Sequence, residues 1–396
     1  MAASLIRRIA DYDTVMRILM PSIVDPQVAR SGAATVTRNL VHLLEASPLR
    51  ATVECVTIPR TTDVAHRIRQ AAAIARSLVS ALPAKVAYTY SRGFRSRVLE
   101  RATPEHSDLV MINGSDLLWL EPMLPAELPR ALVVHNIEYL LFASQVERMR
   151  GGVPAVRKLL QREYRRLKHH EHEGLRRVGN AVFLSTVDAA LVHAAGVACT
   201  SIVVPPLFGE RVVRHERPLR TGERLELGFL GNLHWWPNRE GLSWFVQEVL
   251  PRIARPVHLH VFGEGRVPGV ADQSRLTRHG PIADVTQAWE RCDLMICPIR
   301  SGGGVSIKLA EAVFYGLPTL ATCFATRGLP LGSDAGLVVR DESDWVAYLD
   351  TVEVTALRGR RIPEELSRAF TFAEHRDRLQ EFVRNVVQRA AALKTA

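Results

Sequence analysis

Cysteine is scarce and badly placed for chemistry. The five residues, Cys55, Cys199, Cys292, Cys297 and Cys323, are scattered, odd in number and never in Cys-x2-Cys spacing. That excludes a disulfide framework and a zinc site of that pattern, and the thiols read as buried groups in a reducing compartment. No apolar run approaches ~18–20 residues, so no membrane-spanning helix is expected. The opening MAASLIRRIADYDTVMRIL is broken by charges and lacks an apolar stretch, so no signal peptide is expected and the location read is cytoplasmic. No segment resembles a nucleic-acid-binding module, and nucleic acid is not an expected partner. The loop GEGRVPG from Gly263 copies a dinucleotide fingerprint only by spelling: Pro268 interrupts any helix there, and no acidic residue follows a second strand.

What is present is length and basic charge. At 396 residues the chain can bury two cores. The net charge of +10 is concentrated in the N-terminal half, from Arg60 to Arg101 and from Arg148 to Arg177. Tyr88, Tyr90, Phe94 and Tyr164 are interleaved with these cations, which suits an interface between water and lipid headgroups. An anionic membrane surface, reached from the inner face, is therefore an expected partner; merely solvated basic helices are the alternative. The run KHHEHE from Lys168 has helical spacing for metal ligands but reads better as one face of a long charged helix.

The most informative stretch runs from Cys297 to Thr322. A short apolar strand, Leu294 to Ile296, leads into Gly302-Gly303-Gly304, then an amphipathic segment from Val305 to Tyr315, and Gly316 and Pro318 stop the helix. Glycines admit a ligand close to the backbone, and the helix start beyond them adds the positive end of its dipole, a setting for phosphate. Lys308 and Glu311 share a helical face. The cation suits a diphosphate, and the carboxylate can accept both hydroxyls of a vicinal diol such as a ribose.

SGGGVSIKLAEAVFYGLPTLAT resembles the signature of retaining, GT-B-fold glycosyltransferases of family four (glycosyl transferases group 1). Many relatives carry two glutamates eight positions apart here; this chain keeps the second as Glu311 and has Gly303 at the first. FLGNLHWWPN, from Phe229 to Asn238, resembles the opening of the family's second domain. HNIE, His135 to Glu138, is similar to its HN-x-E element, and Ser31-Gly32 to its first glycine loop. The resemblance implies an α/β protein with two Rossmann-like domains of parallel sheet facing an inter-domain cleft. The expected division is an acceptor-side domain at 1–206, a linker at 207–224, a nucleotide-sugar domain at 225–369 and closing helices at 370–396 that return to the first domain. The catalytic residues implied are His135, Lys308 and Glu311. The donor-binding residues implied are Gly32, Gly231, Asn232, Gly263, Pro281, Ile282, Gly303, Gly304, Val305 and Ser306. Asn238 reads as the cap of a helix from Arg239 to Leu250, and Asn113 to Asp116 as a segment lining the acceptor side.

The implied activity is hexosyl transfer with retention, from a nucleotide-diphosphate sugar to the hydroxyl of a glycan, lipid-linked or small-molecule acceptor, as in polysaccharide biosynthesis. The nucleotide sugar is a co-substrate; no cofactor or metal is expected, and a front-face route is expected. A non-catalytic nucleotide-sugar-binding subunit and a GT-B-type nucleotide-sugar epimerase are the alternatives.

Overall fold

The computed structural model describes residues 15–28, 31–58, 63–148, 154–212, 224–266, 274–282, 284–331, 338–360 and 362–393. The chain start, most of the stretch expected to be a linker, and Val267 to Gly269 of the GEGRVPG loop lie outside them. The chain forms two compact units. One holds the described residues up to Val204 and again from His375, the other Pro205–Glu374.

The first unit is a parallel sheet whose described strands lie in the order β2-β1-β3-β4-β5-β6. They are β1 Arg17–Ser22, β2 Thr52–Thr57, β3 Leu109–Asn113, β4 Arg130–Val134, β5 Asn180–Phe183 and β6 Thr200–Val203. Central β3 (LVMIN) is buried at every position, whereas the edge strand β2 alternates toward solvent, as expected when helices cover both faces. The core includes Leu19, Val110, Ile112, Leu132, Val134 and Phe183. β1 runs through Pro21 to Ser22. The β1–β3 register joins Ile18, Leu19 and Ser22 to β3 and passes over Pro21, which has no N–H to give.

The second unit repeats the architecture in the order β12-β11-β10-β7-β8-β9. Its strands are β7 Leu225–Leu230, β8 Val257–Phe262, β9 Leu276–Gly280, β10 Leu294–Cys297, β11 Thr319–Thr322 and β12 Val338–Arg340, all parallel to their neighbours. Leu309 and Val313 of helix Ile307–Phe314 are fully buried with Phe314 and Phe370, each such side chain contributing about 1.5–3 kcal/mol. The described start of the expected linker is packed rather than free. The Phe208 N–H donates to the Phe370 carbonyl at 3.0 Å, and Gly209 pairs with Thr371, so 207–212 belong to this unit. The closing segment is a single helix, Phe372–Ala392.

In an open parallel sheet, ligands are held beyond the strands' carboxyl ends, where the winding reverses. The first unit reverses between β1 and β3, and the second between β7 and β10. Ser22, Asn113 and His135 stand at the first of these points, and Gly231 and the triple glycine at the second.

Candidate active site

At the second switch point, three strand ends are laced together. Gly231 N–H donates to the Phe262 carbonyl at 3.0 Å, and Gly263 N–H to that of Gly280 at 2.7 Å. Gly263 has φ +127°, and a Cβ there would lie 2.0 Å from the Gly231 carbonyl oxygen. Pro281 and Ile282 follow Gly280 at the rim, Pro281 exposed and Ile282 packed beside Phe262 and Trp289.

The glycine loop is clamped to helix Trp236–Trp244. Gly302 has φ +127° and a Cβ on it would press on Pro237, while Ser301 Oγ donates to Glu240 Oε2 at 3.1 Å. Gly304, at φ +66°, gives its carbonyl to Arg327 at 3.2 Å. Gly303 between them is half-buried, and so is Val305, which packs against the core. Gly241 touches the same loop: a Cβ on it would fall 2.0 Å from the Pro298 carbonyl oxygen. Gly241→Ala is therefore expected to cost on the order of 1–3 kcal/mol by overpacking, read as a fall in thermal midpoint, while the like change at Gly93, with open space around it, leaves the midpoint in place.

Helix Ile307–Phe314 starts where the loop ends. Its cap, Ser306, makes no side-chain capping bond and its hydroxyl instead lies 3.3 Å from Cys297 Sγ; the Leu309 N–H donates to the Ser306 carbonyl at 3.0 Å, and among the described residues no side chain caps the N–H groups of Ile307 and Lys308. Lys308 Nζ donates to Asn238 Oδ1, and Asn238 Nδ2 donates to the Asn232 carbonyl at 2.8 Å. Asn232 Oδ1 in turn accepts the His234 N–H at 2.8 Å. Asn238 is thus a brace between the two switch-point loops. The expected cap role is wrong, because Pro237, whose missing N–H costs nothing in a first turn, lets the helix begin at Trp236. The segment then continues through a π turn, Phe245–Val249.

Burial pushes the Lys308 ammonium below its ordinary value. Burial likewise pushes Glu311 up to about 7, with no neighbouring cation or donor among its causes to draw it back. Both side chains border a cavity of about 20 Å³ together with Leu230, Trp289 and Cys297, space for a single water. An amide-held ammonium and an unneutralised carboxylate therefore share a helix face beside a glycine loop.

In the first unit, Ser31 caps helix Gly32–Glu45 by accepting the Ala34 N–H at 3.3 Å, which places Gly32 at the helix start beyond β1. His135, just past β4, lies with Nε2 2.7 Å from Asn113 Oδ1, and its imidazole is pushed down to about 4 by burial, hence neutral at pH 7. Asn136 Nδ2 bonds Glu138 Oε1 at 3.3 Å, and Glu138 pairs with Lys85. Asp116 is placed by the same lysine, 3.8 Å away, and burial raises its carboxyl. In KHHEHE, Glu171 accepts the N–H groups of Glu138 and Tyr139 at 3.0–3.3 Å, capping helix Glu138–Arg148, and burial raises it to about 8. His172 packs against Tyr139. Among the described residues no cluster is arranged to hold a metal ion. One Asp-x-Asp spelling, Asp11-Tyr12-Asp13, lies outside them.

Reading the sequence named Asn238 as a cap and Asn113 as part of an acceptor-side segment, and missed that Asn238 holds Lys308 and that Asn113 bonds His135. Asn238 carried a signal in the Pro-Asn pair after the glycine turn; Asn113 carried only its place at a strand end. Helix Thr186–Ala194 is capped by Ser185, whose hydroxyl accepts the Asp188 N–H at 3.0 Å.

Residues 224–353 match the family described as glycosyl transferases group 1. No curated protein sequence matches the chain. Among solved structures, the lipopolysaccharide outer core galactosyltransferase WaaB is similar at 14% identity and a TM-score of 0.52, over 96% of this chain and 100% of that one. Sucrose-phosphate synthase from Thermosynechococcus elongatus is similar at 13% and 0.55, over 96% and 98%. Anabaena HepE in complex with UDP and glucose is similar at 13% and 0.54, over 96% and 99%. At such identities these likenesses speak for the fold. The family match thus lies on residues 224–353 of the second unit, and the two parallel-sheet units have the paired Rossmann-like architecture of the GT-B fold that these glycosyltransferase structures share.

Proposed function

We propose that the protein transfers a sugar from a nucleotide-diphosphate donor to an acceptor hydroxyl with retention of anomeric configuration. The observation that carries this is the Lys308–Glu311 pair on one helix face, with the ammonium braced by Asn238 and the carboxylate unneutralised. The helix start and Lys308 take the diphosphate, and Glu311 accepts the ribose diol. Gly231, Gly263 and Gly303 keep the backbone thin around the nucleotide, and neutral His135 contacts the transferred sugar. Bond order falls between the anomeric carbon and the phosphate oxygen as the acceptor oxygen bonds to the same face, and the acceptor proton passes to the departing phosphate. Charge builds on that phosphate, where Lys308 and the helix dipole stabilise it. In this reading those groups serve without a metal or other cofactor. HepE is described with UDP and glucose, so UDP-sugars are the first donors to try. Proton NMR of the sugar released during slow donor hydrolysis tests the reading: the donor's anomeric configuration is expected in the first product, and an inverted product sinks it.

We also propose a membrane-proximal acceptor, by a different surface from the one the sequence suggested. Phe94 is buried, Tyr90 packs on Trp119 and under Arg76, and Arg69 is spent on the Tyr88 carbonyl, so that aromatic set faces inward. On the two basic helices the exposed apolar side chains among the described residues are Ile68, Ile74, Leu78 and Val79 of helix Asp63–Val79 and Val156 and Leu159 of helix Pro154–Val178. Arg166 ties the two helices by donating to the carbonyls of Ser77, Ser80 and Leu82. Exposed Arg157, Lys158, Arg162 and Arg165 edge the ridge, each worth about 1 kcal/mol near an anionic surface. Vesicles rich in phosphatidylglycerol are expected to bind the protein at low salt and phosphatidylcholine vesicles are not, and Ile74→Glu with Leu78→Glu should abolish sedimentation. Equal recovery with both lipids, or an unaffected double variant, removes the membrane from the account.

A further inference from the structure

We infer that Asn113 is a positioning residue that holds His135 in its Nε2–H tautomer, and that the Ser22 and Thr37 hydroxyls fix the direction in which Asn113 acts. The protons of four residues, Ser22, Thr37, Asn113 and His135, can be counted. Ser22 Oγ donates to the Val24 carbonyl at 2.8 Å, and Thr37 Oγ1 donates to the Ala33 carbonyl at 2.8 Å. A hydroxyl has one proton, and a carbonyl can only accept, so each hydroxyl turns lone pairs toward Asn113. The side-chain nitrogen of Asn113 lies 3.0 Å from Ser22 Oγ and 2.9 Å from Thr37 Oγ1, and its two N–H groups satisfy both. The amide cannot turn over without setting its oxygen against two acceptors. Asn113 Oδ1 is therefore the atom at 2.7 Å from His135 Nε2, and that nitrogen must carry the proton. The other ring nitrogen, Nδ1, then carries the lone pair.

The sheet order explains why these residues meet. Ser22 ends β1, Asn113 ends β3 and His135 follows β4, three adjacent strands in register, with Ser22 paired to Asn113 and Asn113 to Val133. Thr37 reaches in from the helix that starts beyond β1. The amide and both hydroxyls are at least nine-tenths buried, so water offers little competition for these bonds.

This inference rests on the proposed contact of His135 with the sugar, but its test does not. In protein labelled with 15N-histidine, long-range proton–nitrogen spectra at neutral pH and without donor should show His135 with Nε2 as the protonated, pyrrole-type nitrogen and Nδ1 as the bare one. Asn113→Leu, and separately Ser22→Ala with Thr37→Val, should each give a mixture of tautomers, the second because the amide is then free to turn. Turnover should fall roughly 10–100-fold in either, the usual scale for a lost group that orients a working imidazole, with KM for the donor changing less than kcat. A wild-type ring protonated on Nδ1, or a pure Nε2–H form in the double variant, overturns the inference whether or not the protein transfers sugar. A wild-type protein with the stated tautomer and no sugar transfer would instead count against the proposed function alone.

Discussion

Lys308→Ala should leave a folded protein that has lost transfer activity by about 10²–10³-fold, the scale for removing one group that stabilises developing charge. The loss should fall mainly on kcat, because the negative charge on the departing diphosphate grows as the glycosidic bond stretches. Free nucleoside diphosphate should also bind less well, and the monophosphate should lose less. Folding should survive, since burial disfavours the ammonium and Asn238 keeps its bond to the Asn232 carbonyl. Rates and affinities that fall equally for mono- and diphosphate would place Lys308 elsewhere than on the distal phosphate.

Glu311→Gln sets stability against binding. The carboxyl is raised by burial from 4.5 to about 7 in the folded protein. An acid raised in this way contributes stability that is complete below about 4.5 and is lost as pH climbs to about 7. Glutamine is never ionised, so the variant should be the more stable protein at pH 8, by up to roughly 3 kcal/mol at 1.36 kcal/mol per tenfold change in proton affinity, and nearly equal to wild type at pH 4.5. Nucleotide affinity should move oppositely: wild type gains as pH rises through 7, the variant stays flat, and at pH 8 it is weaker by about 2–3 kcal/mol. Thermal melts and calorimetric titrations at the two pH values check both halves. A variant no more stable than wild type at pH 8 contradicts the placement of this carboxylate.

Much of the second unit was legible because its signals are local. Gly302 to Gly304 before an amphipathic helix, with Gly316 and Pro318 after it, state a strand–loop–helix unit within some twenty residues, and the helix is Ile307–Phe314. The short apolar run from Leu294 to Ile296 likewise announced a strand, β10. Other features are set by partners remote in sequence. Nothing near Asn238 says that Lys308, 70 positions on, will take its oxygen. Nothing in KHHEHE says that Glu171 will cap a helix 33 positions earlier. The basic stretches do not say which of their rings are exposed, for the same reason: composition counts aromatic rings without showing that Phe94 and Tyr90 close on Trp119. Helical periodicity finds an apolar face but does not say whether another element covers it.

The most direct test is calorimetric titration of the intact protein with UDP, GDP and dTDP, followed by the accepted nucleotide against Lys308→Ala and Glu311→Gln. The account predicts one site for at least one of the three, weakened by both substitutions at pH 8. No binding of any of them, or binding untouched by either substitution, would contradict it.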